Sequence, residues 1–588
     1  MKKILYFIIG AMLLTSCEDF LDSSNKTKKD SSNFPQTEAD VSQLLTGVYS
    51  ILGRPEPLGS LFFVSELMSD DRLGGGGTDD KSCKAIDQFK KDGDDTFNNP
   101  WRAMYFGVYR SNYLLSSLDD VVWNSEESKN KILGEAHFLR AYFYFDLVRM
   151  FGEVPLMIDP EPVNIPKSPA SEIYAQIASD LKTSIELLPS VKFQDIDRAK
   201  DLGRVTKWAA EALMARVFLF YTGYYRTEAL RLNVGGKVTK DKENNWIVDC
   251  IENSGHDLVE DFRNLWAYSY VKDYKYTADN NLEWVGDGSK ETVFSIKYSA
   301  LANDWNSPQQ KSNQICLYSG FRNQNYTKTF PFGQGWGMGT VNPKIYEDWD
   351  PNDLRRDASV LDARKTDEVA DFDFGGGNQQ DLTCYWQKKY IPINVWTDET
   401  KTDVYNFSHE LYSMTGTDYQ RDNIQDLILI RFSDVLLMAA ELGAPNAQQY
   451  LDRVRNRVGL ASVPVTLENI KAERRFELAF EGVRYYDLLR WHDEDLITIN
   501  QTGIVTYNRR GQANAETKSI TFRKETGGFL PIPQTQIDLS GGVLTQNAGW
   551  EGGDIYLNRS LLATPYCRHT DPKMQWEITQ PSFYMSSP

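Results

Sequence analysis

Apolar residues recur at helical spacing in two separate blocks, about 38–225 and 424–491, and residues 226–423 between them carry no such rhythm. A chain patterned this way builds a mainly α scaffold, because only the periodic blocks can bury continuous apolar stripes. Residues 126–151 form the clearest helix. Ser125 caps it, Glu126 and Glu127 complement the dipole in its first turn, and Ile132, Ala136, Leu139, Phe143, Leu147 and Met150 follow at helical spacing. Gly152 and Pro155 supply the stop. A second helix is expected to open at Ser168-Pro169 and close at Pro189. A third, Thr206 to about Tyr221, is apolar almost all round, its charges being Lys207, Glu211 and Arg216, which suits a helix packed on several sides. The second block is expected to hold helices at Leu427–Leu442, Pro445–Arg457 and Thr466–Trp491. Connections of short or moderate length suggest stacked antiparallel pairs, although no clean repeat near 34 residues is visible.

The middle, 226–423, is rich in Gly, Asn, Asp and aromatic residues, with short strand-like runs such as Glu291–Tyr298 and no expected long helix. A stretch of this length inside a compact protein points to functional loops or irregular β-structure.

The N-terminus is an address rather than a structural element. Lys2 and Lys3 precede an apolar run, Ile4–Leu14, that is too short to span a bilayer, and Leu14-Thr15-Ser16-Cys17 is similar to a lipobox. Residues 1–16 are therefore expected to be a lipoprotein signal peptide, with Cys17 the lipidated residue. Residues 17–37, rich in Ser, Lys and Asn, would be a flexible stem. Loss of Lys2 and Lys3 leaves 62 basic against 82 acidic residues, a net charge of −20. Such a surface repels nucleic acid, which is not expected as a partner, and the lipid is the only membrane attachment to be expected. Cys83, Cys250, Cys316, Cys384 and Cys567 are widely and irregularly spaced, which indicates neither a zinc site nor a disulfide scaffold.

Several chemical motifs resolve into structural readings. Glu477 and Glu481 stand four apart on one helix face, as glycosidase carboxylates could, but Arg474, Arg475, Arg484 and Arg490 nearby would keep both ionised. The Gly74–Gly77 run before Lys81-Ser82 lacks the glycine that must precede a phosphate-loop lysine, since Asp80 stands there. Gly333-x-Gly-x-Gly-x-Gly339 lacks the flanking strand and helix of a dinucleotide fingerprint. His137, His256, His409, His492 and His569 never pair at metal-ligand spacing, and Asp92-Gly-Asp-Asp95 completes no calcium loop. No catalytic residue, metal or cofactor is expected.

Five segments in order resemble the SusD/RagB family of outer-membrane nutrient-binding lipoproteins. They are EAHFLRAYFYFDLVRMFGEVPL (135–156), RVTKWAAEALMAR (204–216), IRFSDVLLMAAE (430–441), ERRFELAFEGVRYYDLLRW (473–491), and LPIPQTQIDL (530–539) with Gln546-Asn547 beyond it. The resemblance runs from the lipobox to about Trp550, giving one domain over 38–550. It departs in the tail, 551–588, and in Ser540-Gly-Gly542, where the family commonly has an Asn-containing turn. It implies a scaffold of tetratricopeptide-like helix pairs with long irregular loops and a few short strands. It also implies a SusC-like TonB-dependent transporter as partner and an oligosaccharide ligand, with peptides bound in at least one branch of the family.

A glycan site needs flat aromatic faces for the C–H face of a sugar ring and a few fixed polar groups for its hydroxyls. Trp305, Tyr318, Phe321 and Tyr326, interleaved with Asn303, Asn306, Gln309, Asn313 and Asn323, offer that combination. Asp71, Arg72 and Phe89 occupy a region where the family often adds contacts, whereas Trp336 in its glycine-rich turn reads as structural. The expected function is non-catalytic capture of an oligosaccharide for a transporter. A peptide-binding lipoprotein is the alternative, and a surface glycosidase ranks behind both.

Overall fold

A computed structural model of the chain describes residues 34–550 apart from 54–59, 92, 94, 162, 300–311, 375–377, 415–417 and 509–510. Cys17, Trp305, Asn303, Asn306, Gln309, Asp92, Asp94, Cys567, the signal region and the tail 551–588 lie outside the described residues.

The first block forms α1 (Glu38–Tyr49), α2 (Leu61–Leu67), α3 (Asn98–Ser116), α4 (Glu126–Phe151), α5 (Ala170–Leu187) and α6 (Lys207–Tyr224). Local chemistry sets their ends. Thr37 and Asp40 form a reciprocal capping box on α1. The Ser125 hydroxyl accepts from the Ser128 N–H at 3.1 Å to open α4. Gly152 closes α4 at φ 70°, a conformation that favours glycine. Helices α3 to α6 each pack on the next in sequence. At the centre of this stack, Phe138, Leu139, Phe143, Phe145 and Leu147 of α4 are fully buried, each contributing about 1.5–3 kcal/mol of apolar burial. Among the described residues no helix is long and apolar enough to cross a membrane.

Helix α5 begins one turn position later than the sequence suggests. Pro169 stands at the cap without a side-chain bond, and the Ser168 hydroxyl accepts from the Leu156 N–H instead. The middle is not free of long helix either: α7 spans Lys240–Asn253. Its buried face is Glu243, Ile247 and Cys250. A glutamate at one of three inward positions hides the apolar period.

The middle also holds α8 (Gln314–Ser319) and most of the eight short strands among the described residues: β1 (Ala229–Arg231), β2 (Lys237–Thr239), β3 (Thr292–Ile296), β4 (Val360–Asp362), β5 (Tyr385–Gln387), β6 (Asn394–Trp396), β7 (Val404–Asn406) and β8 (Leu427–Arg431). They pair antiparallel as β1–β2, β3–β8, β4–β5 and β6–β7. Residues 427–431, expected to open a helix, are therefore a strand, and its helix α9 starts at Phe432 (Phe432–Glu441). After α10 (Ala447–Arg457), the expected long helix Thr466–Trp491 is two helices, α11 (Leu467–Glu477) and α12 (Arg484–Trp491). Phe480 at φ 64° and Gly482 at φ 73° turn the chain between them.

That turn sits in a buried ion-pair network. Glu477 meets Arg355 and Arg431 at 2.9 Å each, and also Arg457. Glu481 meets Arg431 and Lys389, both at 2.7 Å. Burial alone would raise the Glu477 carboxyl, but the three guanidinium groups hold it well below the usual carboxylate range. Glu477 is ionised as expected, and the partners of both glutamates differ from the arginines nearest in sequence. The neighbouring arginines look elsewhere: Arg474 to Asp434 and Asp487, Arg475 to Asp71, Arg484 to Asp70, and Arg490 to Glu441 and Asp487.

Candidate ligand site

The glycines at 333, 335, 337 and 339 form one close-packed strip. A Cβ on Gly335 would overlap the Leu317 carbonyl and the Gly320 Cα, on Gly337 the Gln379 amide, and on Gly339 the Arg72 guanidinium. On Gly333 it would stand 2.8 Å from the Asn394 side chain. A side chain at any of the four positions would run into a neighbour, and Gly337 at φ 72° and Gly339 at φ 67° hold a conformation that favours glycine. Trp336 and Gln334 are half-buried, and Phe332 and Met338 are buried in the core.

Backbone hydrogen bonds lock the strip to α8 and to the Gly74–Gly77 loop. The Trp336 and Met338 N–H groups donate to the Leu317 and Tyr318 carbonyls at 2.9 and 2.8 Å. Gly339 N–H donates to the Gly74 carbonyl at 2.8 Å, and Gly76 N–H to that of Gly337 at 2.7 Å. Held in this register, Trp336 stacks on Tyr318 with centroids 4.9 Å apart and an interplanar angle of 20°. The Phe63 ring of α2 presses edge-on against Tyr318 at 5.6 Å. The result is a half-buried aromatic platform on a stiff support.

Polar groups surround it. Arg322 donates to the Trp336 carbonyl at 3.3 Å and pairs with Asp80 at 3.4 Å. Asp80 also accepts from the Gly77 N–H at 2.6 Å, and the Gln379 amide donates to the Gly337 carbonyl at 2.7 Å. The two glycine-rich segments that match neither a phosphate loop nor a dinucleotide fingerprint thus meet beside one aromatic pair. The signal that could have found Trp336 was the alternation of glycine at every second position.

The other candidates fall in different places. Phe321 is fully buried, ringed by Trp386, Phe372 and Phe332 at 5.0, 5.2 and 5.9 Å, and has no face left for a ligand. Phe89 is buried with its edge against Phe522 at 5.3 Å. Arg72 is a buried clamp that donates to the Gly339 carbonyl at 2.7 Å and the Ser319 hydroxyl at 3.1 Å, and pairs with Glu66. Asp71 is buried beside Arg475 at 2.7 Å; burial raises its carboxyl, with Arg475 opposing. These four are scaffold in this structure, because burial closes each from solvent. Tyr326 is half-buried, its hydroxyl accepting from the Gln324 N–H at 3.2 Å, and burial pushes its phenol up to about 12. Asn313 caps α8 from within the core.

Two family models match the chain. One, described as starch-binding associating with outer membrane and SusD-like, covers residues 19–219, and the SusD family model covers 264–550. SusD-like protein P2 of Formosa agariphila is 25% identical over 519 residues, 83% of this chain and 91% of that relative. Among solved structures, surface glycan-binding protein A of Bacteroides fluxus is similar at 25% identity and a TM-score of 0.68, covering 88% of this chain and 100% of its own. A laminarin-binding SusD-like protein is similar at 26% identity and a TM-score of 0.66, with the same coverage. Surface glycan-binding protein A of Bacteroides thetaiotaomicron, at 23% identity and a TM-score of 0.68, shares the fold. The mainly helical scaffold and the matches from residue 19 to residue 550 agree, and the chain belongs to the SusD family.

Proposed function

We propose that this protein captures oligosaccharides without chemical conversion and delivers them to a TonB-dependent outer-membrane transporter, with Cys17 as its lipid anchor at the cell surface. The observation that carries the reading is the Tyr318·Trp336 stack on the glycine strip, a flat apolar face rimmed by Arg322, Asp80 and Gln379. Such a face suits the C–H side of a sugar ring, and the rim suits its hydroxyls. A related structure that binds laminarin supports the same ligand class. A half-buried platform buries little ligand, so affinity is modest and release to a transporter is fast.

The test is retardation of the lipid-free protein in gels containing soluble polysaccharides, laminarin among them, beside Trp336→Ala. Retardation by one polysaccharide class, weakened at least tenfold in the variant with its fold intact, is the expected result. Retardation by none, with peptides bound instead, would overturn it. Release of reducing ends from the bound polysaccharide would replace capture by hydrolysis.

A further inference from the structure

Trp336 stands in the middle of the glycine strip, and a second aromatic pair stands just before the strip. Six residues before Trp336, Phe330 stacks on Trp396, the last residue of β6, with centroids 4.2 Å apart and an interplanar angle of 15°. Both rings are half-buried. The supports are continuous: the Gly333 N–H donates to the Pro392 carbonyl and the Asn394 N–H to the Pro331 carbonyl, each at 2.7 Å, and Phe332 bridges to Ile393. Beyond Trp396 the β6–β7 turn is polar and exposed from Thr397 to Asp403, with Lys401 tied to Asp273 at 2.9 Å. Asn325 and Lys328 are exposed on the segment leading to Phe330.

We propose that Phe330 and Trp396 form a second carbohydrate platform, so that a glycan chain long enough to reach both stacks is held at two points. This rests on the capture reading above and extends it to the length of the ligand. Two parallel features carry it. In each pair one ring comes from the segment 330–339 and the other from a neighbouring element, and each pair is partly open with polar groups around it. Six residues of chain span at most about 20–22 Å, which bounds the backbone separation of the two stacks. A second contact on the same chain acts at high effective concentration and raises the affinity for long ligands alone.

The experiment compares wild type, Trp396→Ala, Trp396→Phe and Phe330→Leu, using laminarin and any other polysaccharide that retards wild type, alongside disaccharides of the same linkage. Polysaccharide binding is expected to weaken about three- to tenfold in Trp396→Ala and Phe330→Leu. Trp396→Phe keeps a flat ring and should restore most of it, and disaccharide binding should not change. Phe330→Leu keeps apolar bulk, so it remains informative if the alanine variant misfolds. Equal polysaccharide binding by wild type and folded Phe330→Leu would overturn the second platform and leave the first intact. Failure of wild type to bind any polysaccharide would overturn both.

Discussion

At the scale of single residues, burial decides which polar groups act on solvent and which only on the fold. Glu211 on α6 is fully buried, with the Lys207 ammonium 3.4 Å away. Burial pushes its carboxyl up to about 9, Lys207 pulling the other way and Asp249 adding to the rise. The folded chain therefore keeps a proton that the unfolded chain releases above about 4.5. The sign follows from linkage: this stabilisation is complete below about pH 4.5 and is lost as pH rises toward about 9. Asp180 behaves oppositely. Burial would raise it, but Arg140 and His137 outweigh that and hold it down to about 2, so its contribution is lost in acid. Glu211→Gln removes the first effect because the amide cannot ionise. The stability advantage of wild type over this variant should fall between pH 5 and pH 9, by up to about 1.4 kcal/mol per pH unit. Urea unfolding at a series of pH values measures it; a difference independent of pH would mean that Glu211 is ionised in the fold.

At the scale of elements, the network around Glu477 joins α10, α11, β8 and Arg355 through ion pairs that are almost wholly buried. Deleting one acid leaves guanidinium groups buried without their charge partner, which costs about 3–5 kcal/mol. Glu477→Ala should lose about that much in chemical denaturation while its affinity for polysaccharide stays at the wild-type value. A folded, stable Glu477→Ala variant with altered binding would place this carboxylate in the site rather than the scaffold. The same region marks where the sequence stops being legible. Helices α4 and α6 are readable because their apolar positions are local facts of spacing. The break between α11 and α12 is not, since Phe480 and Gly482 look like ordinary members of a periodic run until the buried salt bridges claim Glu477 and Glu481. Strand β8 was hidden because Leu427–Ile430 is apolar enough for either element, and its pairing with β3 comes from far along the chain. Among the aromatic candidates, composition could not separate the half-buried Tyr318 from Phe321, whose burial depends on Phe372 and Trp386 some fifty residues or more away.

At the scale of the whole molecule, the two ends of the described chain are tied into one core, and the last tie is close to where the family match stops at residue 550. Asn547 donates to the Phe151 and Leu530 carbonyls at 2.8 Å each, closing the C-terminal segment over the end of α4. Trp550 is buried, donates to the Phe529 carbonyl at 2.8 Å, and lies under the Arg523 guanidinium at 4.6 Å. Those contacts are all made among the described residues. A chain ending at Trp550 should therefore unfold within about 2 °C of the full chain and bind polysaccharide equally. A chain ending at Val543 loses both anchors together. Removing a buried tryptophan alone costs about 3–5 kcal/mol, so this shorter chain should unfold well below the other two. Calorimetry on the three chains separates the cases. Equal unfolding of the first two with a lower transition in the third supports a core closed by Asn547 and Trp550. A large loss on ending the chain at Trp550 would mean that residues 551–588 supply packing that the described contacts do not.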